Sequence, residues 1–324
     1  MSKMSTDQVR HALNGPTMGT RWSALFFAHP DFDPERVRAA LQDAVDGVDA
    51  QMSTWKPGSD LMGLNAAPLG AWITVPAGLM DVLRLGLEIG HASGGAFDIG
   101  MGDAVTAWGF GPEAAAAGRI RAAMAAERVP AFEALEIDAA ASRVRKTAPL
   151  ALDLNGIAKG YGVDRLADIL RGTGIAASLV GIDGEMRATR LRPDGEPWVV
   201  AVEAPDPNRR APRSIFALED AAVATSGNYR HWIEVHGRRL SHTMDPNRGA
   251  PLLASPASVT VVAKTCAEAD AWATGCMVKG SLEGSEMARK HDLNALFIDR
   301  EGDHLRETRV GRLFETCPDL ERVV

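Results

Sequence analysis

The sequence predicts an α+β fold of mostly antiparallel sheets with flanking helices. Strand-like runs follow one another with short turns between residues 176 and 243, a spacing that is typical of antiparallel hairpins and not of a doubly wound fold. Helical patterns of apolar residues precede and follow this region. No linker or low-complexity segment divides the chain, so we predict a flexible N-terminus at 1–14 and a single domain at 15–324.

The elements are predicted from local patterns in chain order. "TMGTRWSALFF" (17–27) reads as a strand, and "MSTWKPGSDLMGLN" (52–65) and the glycine-rich segment 95–112 read as loops. The first helix begins near Asp33 and Pro34 and carries apolar residues at three- and four-residue steps. The other predicted elements are helices at about 76–91, 113–127, 158–171, 266–279 and 283–290, a strand at 257–263, a hairpin within 134–146 and another around "DREGD".

Composition excludes several classes of function. The chain has 324 residues and a net charge of −7, which argues against a nucleic-acid-binding face. No window approaches the roughly 20 apolar residues of a membrane span. The start "MSKMSTDQ" lacks a signal peptide or lipobox, so we expect a cytoplasmic protein, or a periplasmic or membrane-anchored one if the sequence is truncated. The three cysteines lack metal-ligand spacing, and Cys266 and Cys276 are expected to be buried thiols.

The segment "CAEADAWATGCMVKG" (266–280) contains an acid and a hydroxyl on an apolar helix. Asp270 and Thr274 are four residues apart and therefore share a face. Two interpretations stay open for this pair. Thr274 could bond back to its own helix while Asp270 caps or pairs locally, or both could be oxygen ligands of a hard cation such as Mg²⁺.

The segment "DLNGIAKGYGVDRL" (153–166) places an acid, glycines and a lysine before a helix. It matches neither the Walker loop nor the dinucleotide fingerprint. From its residues alone it is either a phosphate-holding loop or a glycine-rich turn.

Other candidate residues are weaker when taken singly. His242 ends a strand in "SHTMDPNRGAP", and "AVATSGNYRHW" (222–232) reads as a strand followed by a Thr-Ser-Gly-Asn turn. Trp55 in its polar loop could stack on a flat heterocycle. Phe97 and Asp98 in "GAFDIGMG" could shape a pocket, although an aromatic residue is more often packing.

Together and in this order, these segments resemble the ApbE family of flavin transferases. The resemblance also rests on "MGTRWS" and "GIDGEMRA", and it runs from about residue 15 to about residue 300. It implies an ApbE-like fold with a central FAD-binding cleft. It further implies an enzyme that cleaves FAD with Mg²⁺, transfers FMN to a threonine or serine hydroxyl of an acceptor flavoprotein, and releases AMP.

The resemblance also implies roles for individual residues. His242 is the family's candidate base, and Ala273 stands where some members have a further acid, which puts a fully acidic metal site in doubt. The magnesium ligands would be Gly156 (through its carbonyl), Asp270 and Thr274. The FAD-binding residues would be Met18, Trp55, Ala96, Phe97, Asp98, Asp153, Lys159, Thr225, Ser226 and Met244.

Two further hypotheses compete with the transferase. One is a metal-dependent FAD pyrophosphatase that uses water as the nucleophile, and the other is an FAD-binding protein without turnover. For the transferase, the partner is expected to be a flavoprotein with a D-x-x-S/T-G-A-S/T-like site. Asp270 is also predicted to be catalytic, and Asp270 or a water chain stays open as an alternative to His242 for taking the proton.

Overall fold

An antiparallel sheet of eight strands is the centre of the structure, which is a computed structural model and describes residues 8–206, 211–229, 232–235, 238–302 and 304–315. The helices of this part are α1 (Glu35–Met52), α2 (Asp60–Ala66), α3 (Ala77–Ala92), α4 (Gly102–Ala107), α5 (Ala117–Ala125), α6 (Ala131–Ala134), α7 (Ala158–Gly172), α8 (Cys266–Lys290) and α9 (Arg312–Glu315). None of them combines the length and apolar character that a membrane crossing requires.

The strands of the described part include short hairpins outside the central sheet. They are β1 (Val9–Thr17), β2 (Thr20–Ala28), β3 (Ile73–Thr74), β4 (Leu135–Asp138), β5 (Arg143–Lys146), β6 (Ser178–Ile182), β7 (Glu185–Thr189), β8 (Trp198–Glu203), β9 (Pro212–Leu218), β10 (Ala222–Gly227), β11 (Trp232–Val235), β12 (Arg238–Ser241), β13 (Met244–Asp245), β14 (Ala250–Pro251), β15 (Ser258–Ala263), β16 (Asn294–Glu301) and β17 (His304–Val310).

The central sheet has the strand order β1-β2-β6-β7-β10-β15-β16-β17. Neighbouring side chains of one strand enter opposite layers: Val180 of β6 packs in a cluster with α1 and α7, whereas Leu179 packs with the β8–β9 hairpin. Helices α7 and α8 lie against the middle strands. This arrangement confirms the predicted α+β class with antiparallel sheets.

The described part of the chain begins with a hairpin where one strand over 17–27 was expected. Strands β1 and β2 pair from Val9↔Ala28 to Thr17↔Thr20, so the boundary predicted at residue 14 falls inside β1. The cause is the turn at Met18 and Gly19, whose φ angles are 43° and 73°. A non-glycine residue at positive φ gives no clear signal in the sequence.

Two other predictions of local structure were wrong in part, and a third was confirmed. The loop at 52–65 contains α2, because the Ser59 hydroxyl accepts a hydrogen bond from the Met62 N–H and caps the helix. The glycine-rich segment 95–112 contains α4. The helices predicted at 266–279 and 283–290 are the two parts of α8, interrupted at Gly280 where φ is 72° and ψ is 177°.

Helices α7 and α8 approach each other closely at Gly160. A Cβ atom at this position would lie 2.4 Å from the carbonyl oxygen of Cys266. Asp164, one turn further along α7, accepts hydrogen bonds from the backbone N–H groups of Cys266 and Ala267, each at 2.9 Å. The start of α8 is therefore fixed to α7 by backbone contact and by a buried carboxylate.

We predict that Gly160→Ala lowers the free energy of unfolding by at least about 2 kcal/mol, because the new methyl group meets backbone that cannot rotate away. Urea unfolding followed by circular dichroism measures this change. The matched control is Gly172→Ala in the same helix, where the added Cβ would meet nothing within 4 Å. The control should stay within about 1 kcal/mol of the wild type or gain stability, and equal effects of both substitutions would contradict the close approach.

Candidate functional site

A cavity of about 1010 Å³ opens beside α7, α8 and the β6–β7 hairpin. Its wall also includes the β1–β2 turn, the segment after α1 and the segment after β12. Every residue that the sequence predicted for the site lines this cavity: Met18, Trp55, Ala96, Phe97, Asp98, Asp153, Gly156, Lys159, Thr225, Ser226, His242, Met244, Asp270 and Thr274. The fold therefore brings together side chains from distant parts of the chain.

Asp270 and Thr274 face the cavity from one side of α8, as their spacing predicted. Asp270 is 5% exposed, and its Oδ2 accepts a hydrogen bond of 3.1 Å from the Gly160 N–H of α7. The Thr274 hydroxyl lies 3.1 Å from the Ser226 hydroxyl of β10. Asp270 therefore hydrogen-bonds to α7, and Thr274 hydrogen-bonds to β10. This differs from the interpretation in which both side chains bond within their own helix.

Gly156 completes this corner of the cavity. A Cβ atom at Gly156 would lie 3.0 Å from the Thr274 hydroxyl oxygen and 3.2 Å from the Phe97 ring, so the backbone of the loop lies close to α8. Within the described residues no group of three or more His, Cys, Asp or Glu side chains is placed to hold a metal ion. One carboxylate, one hydroxyl and one carbonyl suit Mg²⁺, which accepts few protein oxygens and adds water and phosphate oxygens.

Lys159 is held by carboxylates of the β6–β7 hairpin. Its Nζ lies 2.8 Å from Glu185 Oε1 and 3.5 Å from Asp183 Oδ2. Burial alone would lower the pKa of this lysine, but the negative charges of Glu185, Asp270 and Asp183 together raise it above its ordinary value. Lys159 is therefore a permanent positive charge among several acids.

Burial raises the pKa of the carboxyl groups of the cavity, whereas burial alone would lower the pKa of Lys159. Loss of solvation raises the pKa of Asp153 and of Asp270 to about 6 each, even though backbone N–H donors and, at Asp270, Lys159 oppose the shift. The same loss raises the pKa of Glu185 to about 7, again against the charge of Lys159. These carboxylates carry their charge at a cost in free energy that a cation or a hydrogen-bond donor would reduce.

The loop 153–157 forms no strand and enters α7 through a turn, in which the Ile157 N–H donates to the Leu154 carbonyl at 3.1 Å. The Asp153 N–H donates to the Ile99 carbonyl at 2.8 Å, and the Asp153 carboxylate accepts hydrogen bonds from the N–H and side-chain amide of Asn155. A helix that begins near Ala158 is expected from the sequence to present free N–H groups to an anion at its start. This expectation was wrong for Ala158 and Gly160, because their N–H groups donate to the Leu154 carbonyl and to Asp270.

The aromatic and apolar residues lie on other parts of the wall. Trp55 is 59% exposed, whereas Phe97 is 3% exposed and packs beneath the loop of Gly156. Asp98 Oδ1 accepts hydrogen bonds from the N–H groups of Gly100 and Ala131, so it also ties the surrounding loop together. Met244 is buried in a cluster with α4 and α5.

His242 follows β12 directly, where the sequence placed it. Its ring is half-buried and meets the ring of Phe110 edge-on, with 6.4 Å between the centroids. On the adjacent wall, Thr225 and Ser226 lie in strand β10 and not in the predicted turn. The ladder to β15 continues through them, with Thr225 opposite Thr260 and their hydroxyl oxygens 2.8 Å apart.

The sequence reasoning missed four acids that line the cavity: Asp49, Asp183, Glu185 and Glu203. Asp183 and Glu185 flank a glycine in "GIDGEMRA", a pattern that is ordinary turn chemistry between two strands. Only the fold shows that this turn faces Lys159, so the sequence had no local signal that distinguishes these acids from surface residues.

The fold and the cavity define an α+β protein with a cleft in which acids, two lysines, hydroxyls and aromatic rings surround a space suited to a nucleotide-sized ligand. Comparisons with known proteins narrow this class. Residues 18–297 match the ApbE family. The FAD:protein FMN transferase of Klebsiella pneumoniae is 35% identical over 90% of this chain and 85% of its own length. The enzyme of the same name from Escherichia coli is 34% identical over 91% and 85% of the two chains.

Solved structures agree with the sequence comparison. The apo form of the flavinyl transferase ApbE from Pseudomonas stutzeri superimposes with a TM-score of 0.83 at 35% identity, covering 95% of this chain and 96% of that one. The flavin transferase ApbE from Vibrio cholerae gives 0.82 at 33% identity, with coverages of 94% and 97%. The chain belongs to the ApbE family, which confirms the resemblance drawn from the sequence.

We predict that the stability of the metal-free protein falls as the pH rises from about 4 to about 6, in part because of Asp270. Its pKa is raised from 3.8 to about 6 by folding, so the folded state binds a proton in this window that the unfolded state lacks. Asp270→Asn should remove on the order of 1–3 kcal/mol of this pH dependence. The Asn side chain keeps an oxygen that can accept from Gly160.

The measurement is urea unfolding in EDTA at several pH values. Asp43→Asn on the exposed face of α1 controls for the loss of one negative charge. An unchanged pH slope in Asp270→Asn would show that Asp270 titrates alike in both states.

Proposed function

We propose that this protein is an FAD:protein FMN transferase that cleaves the pyrophosphate of FAD and modifies a threonine or serine of an acceptor flavoprotein. The observation that carries the proposal is the convergence of Lys159, Asp270, Thr274 and His242 on one cavity of about 1010 Å³. This volume is at the upper end of the usual range for small-molecule pockets, as an extended dinucleotide requires.

In the proposed reaction the hydroxyl oxygen of the acceptor attacks the phosphorus on the FMN side of the pyrophosphate. A new P–O bond forms to the acceptor, and the bond from this phosphorus to the bridging oxygen breaks. The bridging oxygen leaves with AMP and carries the electron pair. The hydroxyl proton passes to a base on the enzyme, so atoms and charges balance.

The negative charge of the pyrophosphate is the main obstacle to this attack. Bound Mg²⁺ would supply electrostatic stabilisation of the phosphate oxygens. Asp270, Thr274 and the Gly156 carbonyl would hold it, because they form the oxygen-rich corner of the cavity. Lys159 adds a fixed positive charge from the adjacent wall.

Other residues would bind FAD and take the proton. His242 is the candidate base because it lies on the cavity wall and histidine is the side chain that most often serves as a general base. Met18, Trp55 and Met244 would contact the flavin, and Ala96, Phe97 and Asp98 would contact FAD near the adenine. Asp153, Thr225 and Ser226 would face the nucleotide from the loop and from β10.

The decisive experiment incubates the protein with FAD, Mg²⁺ and an acceptor domain that contains a D-x-x-S/T-G-A-S/T-like site. We expect mass spectrometry to find FMN covalently attached to the threonine or serine of that site, with AMP released in equal amount. AMP release at the same rate without an acceptor would identify a pyrophosphatase instead. Intact FAD after prolonged incubation with Mg²⁺ and several acceptors would leave only an FAD-binding protein.

Asp270→Ala is predicted to abolish Mg²⁺-dependent transfer while retaining much of the affinity for FAD. The reason is that one metal ligand is lost but the flavin and adenine contacts remain. Calorimetric titration of Mn²⁺ in place of Mg²⁺ gives a readout that does not depend on turnover, and it should show weakened binding. Asp43→Ala on the exposed face of α1 is the control. Normal transfer by Asp270→Ala at low Mg²⁺ would make the ligand assignment wrong.

His242→Ala is predicted to slow transfer by about 10²–10⁴-fold, the usual contribution of general-base catalysis. Binding of FAD, followed by flavin fluorescence, should change little. The control is His29→Ala, because His29 is exposed at 65% of its side chain. A His242→Ala enzyme with wild-type kcat would assign the proton transfer to another group.

A further inference from the structure

The turn between β6 and β7 presents two acids to the same lysine. Asp183 and Gly184 adopt positive φ angles of 52° and 110°, which reverse the chain between the strands. Asp183 and Glu185 both reach Lys159, at 3.5 Å and 2.8 Å. The lysine that would neutralise the pyrophosphate therefore has two carboxylate neighbours.

The two acids differ in their surroundings. The side chain of Glu185 is 5% exposed, and its second oxygen, Oε2, is buried without a hydrogen-bond partner in the described structure. Its charge is therefore compensated mainly by Lys159, and loss of this pair would leave a buried charge uncompensated. The side chain of Asp183 is 36% exposed, so water can solvate it when Lys159 turns away.

We propose that these acids act in opposite directions on substrate binding: Glu185 is a positioning residue that fixes Lys159 in the cavity, and Asp183 is an exchangeable counter-ion that the pyrophosphate displaces. The inference rests on the proposed function, because it requires Lys159 to meet the phosphates of FAD. Glu185 limits the lysine to orientations near the β6–β7 turn, and Asp183 occupies the side that stays open to solvent.

The proposal has a direct electrostatic consequence. A pyrophosphate that binds Lys159 must break the lysine's ion pair with Asp183, and the loss of this attraction opposes binding. Glu185 is also negative, but without it Lys159 would be free to turn fully toward Asp183. Removing Asp183 should therefore strengthen binding of FAD, whereas removing Glu185 should weaken it.

The test measures the dissociation constants of FAD and of riboflavin by flavin fluorescence in EDTA, where the metal-dependent reaction does not proceed. Riboflavin is the matched probe because it keeps the flavin and lacks the pyrophosphate. We expect Asp183→Asn to tighten FAD binding about 2- to 5-fold at low salt, an effect of the size of an exposed ion pair that disappears at high salt. Glu185→Gln should weaken FAD binding at least about 10-fold. Riboflavin binding should be unchanged in both.

Steady-state kinetics and double variants separate positioning from simple structural support. Asp183→Asn should lower KM for FAD, whereas Glu185→Gln should raise KM for FAD and lower kcat. In the background of Lys159→Ala, Asp183→Asn should tighten FAD binding much less than it does in the wild type, since Lys159 is then absent from the exchange. If Glu185→Gln does not fold, the proposal is tested by the FAD affinities of Asp183→Asn and of its combination with Lys159→Ala.

Two results would overturn the inference while leaving the proposed function intact. One is a change of FAD affinity in the same direction in both single variants, and the other is an equal change in riboflavin affinity. A wild-type protein that transfers no FMN to any acceptor, or that binds FAD no better than riboflavin, would instead count against the proposed function itself.

Discussion

The close approach of α7 and α8 at Gly160 is the constraint on which the rest of the site depends. Only a residue without a side chain lets the two backbones come so near, since a Cβ would lie 2.4 Å from the Cys266 carbonyl oxygen. This proximity allows the Gly160 N–H to donate to Asp270, and it places Lys159 beside the acid on the other helix. A lysine and a carboxylate from two helices thus border one cavity at fixed positions.

A second connection extends this constraint to the central sheet. Asp164 accepts hydrogen bonds from the first N–H groups of α8 and also binds Arg187 of β7 at 2.6 Å. Glu185 lies two residues before Arg187 and holds Lys159. Two ion pairs therefore join β7 to α7, Glu185 with Lys159 and Arg187 with Asp164. Hydrogen bonds at Gly160 and at Asp164 join α7 to α8. Such cross-links preorganise the charged groups, so that little reorganisation is required when a ligand binds.

The sequence predicted the parts of this site that depend on local spacing. Asp270 and Thr274 are four residues apart on a helix, and helical geometry alone puts them on one face. The pairing of Lys159 with Glu185 depends on which strand lies beside α7, and that is decided by tertiary packing. The same limit explains Thr225 and Ser226, whose turn-like sequence is overridden by the ladder to β15. The hydrogen bonds at the start of α7 could not be predicted either, because the Gly160 N–H donates to Asp270 on α8.

The balance of charges in the cavity also bears on what kind of nucleophile the proposed enzyme would use. Asp153, Asp270 and Glu185 lose solvation when the protein folds, and Lys159 is a cation that interacts with Asp270 and Glu185. A polyanionic substrate would add to this negative charge, so its productive binding requires a cation to accompany it. Attack by a protein hydroxyl further requires one open side, and the exposed Trp55 and half-buried His242 lie on the cavity wall where such access is possible. Selection of a protein hydroxyl over water would then depend on how well the acceptor covers that opening.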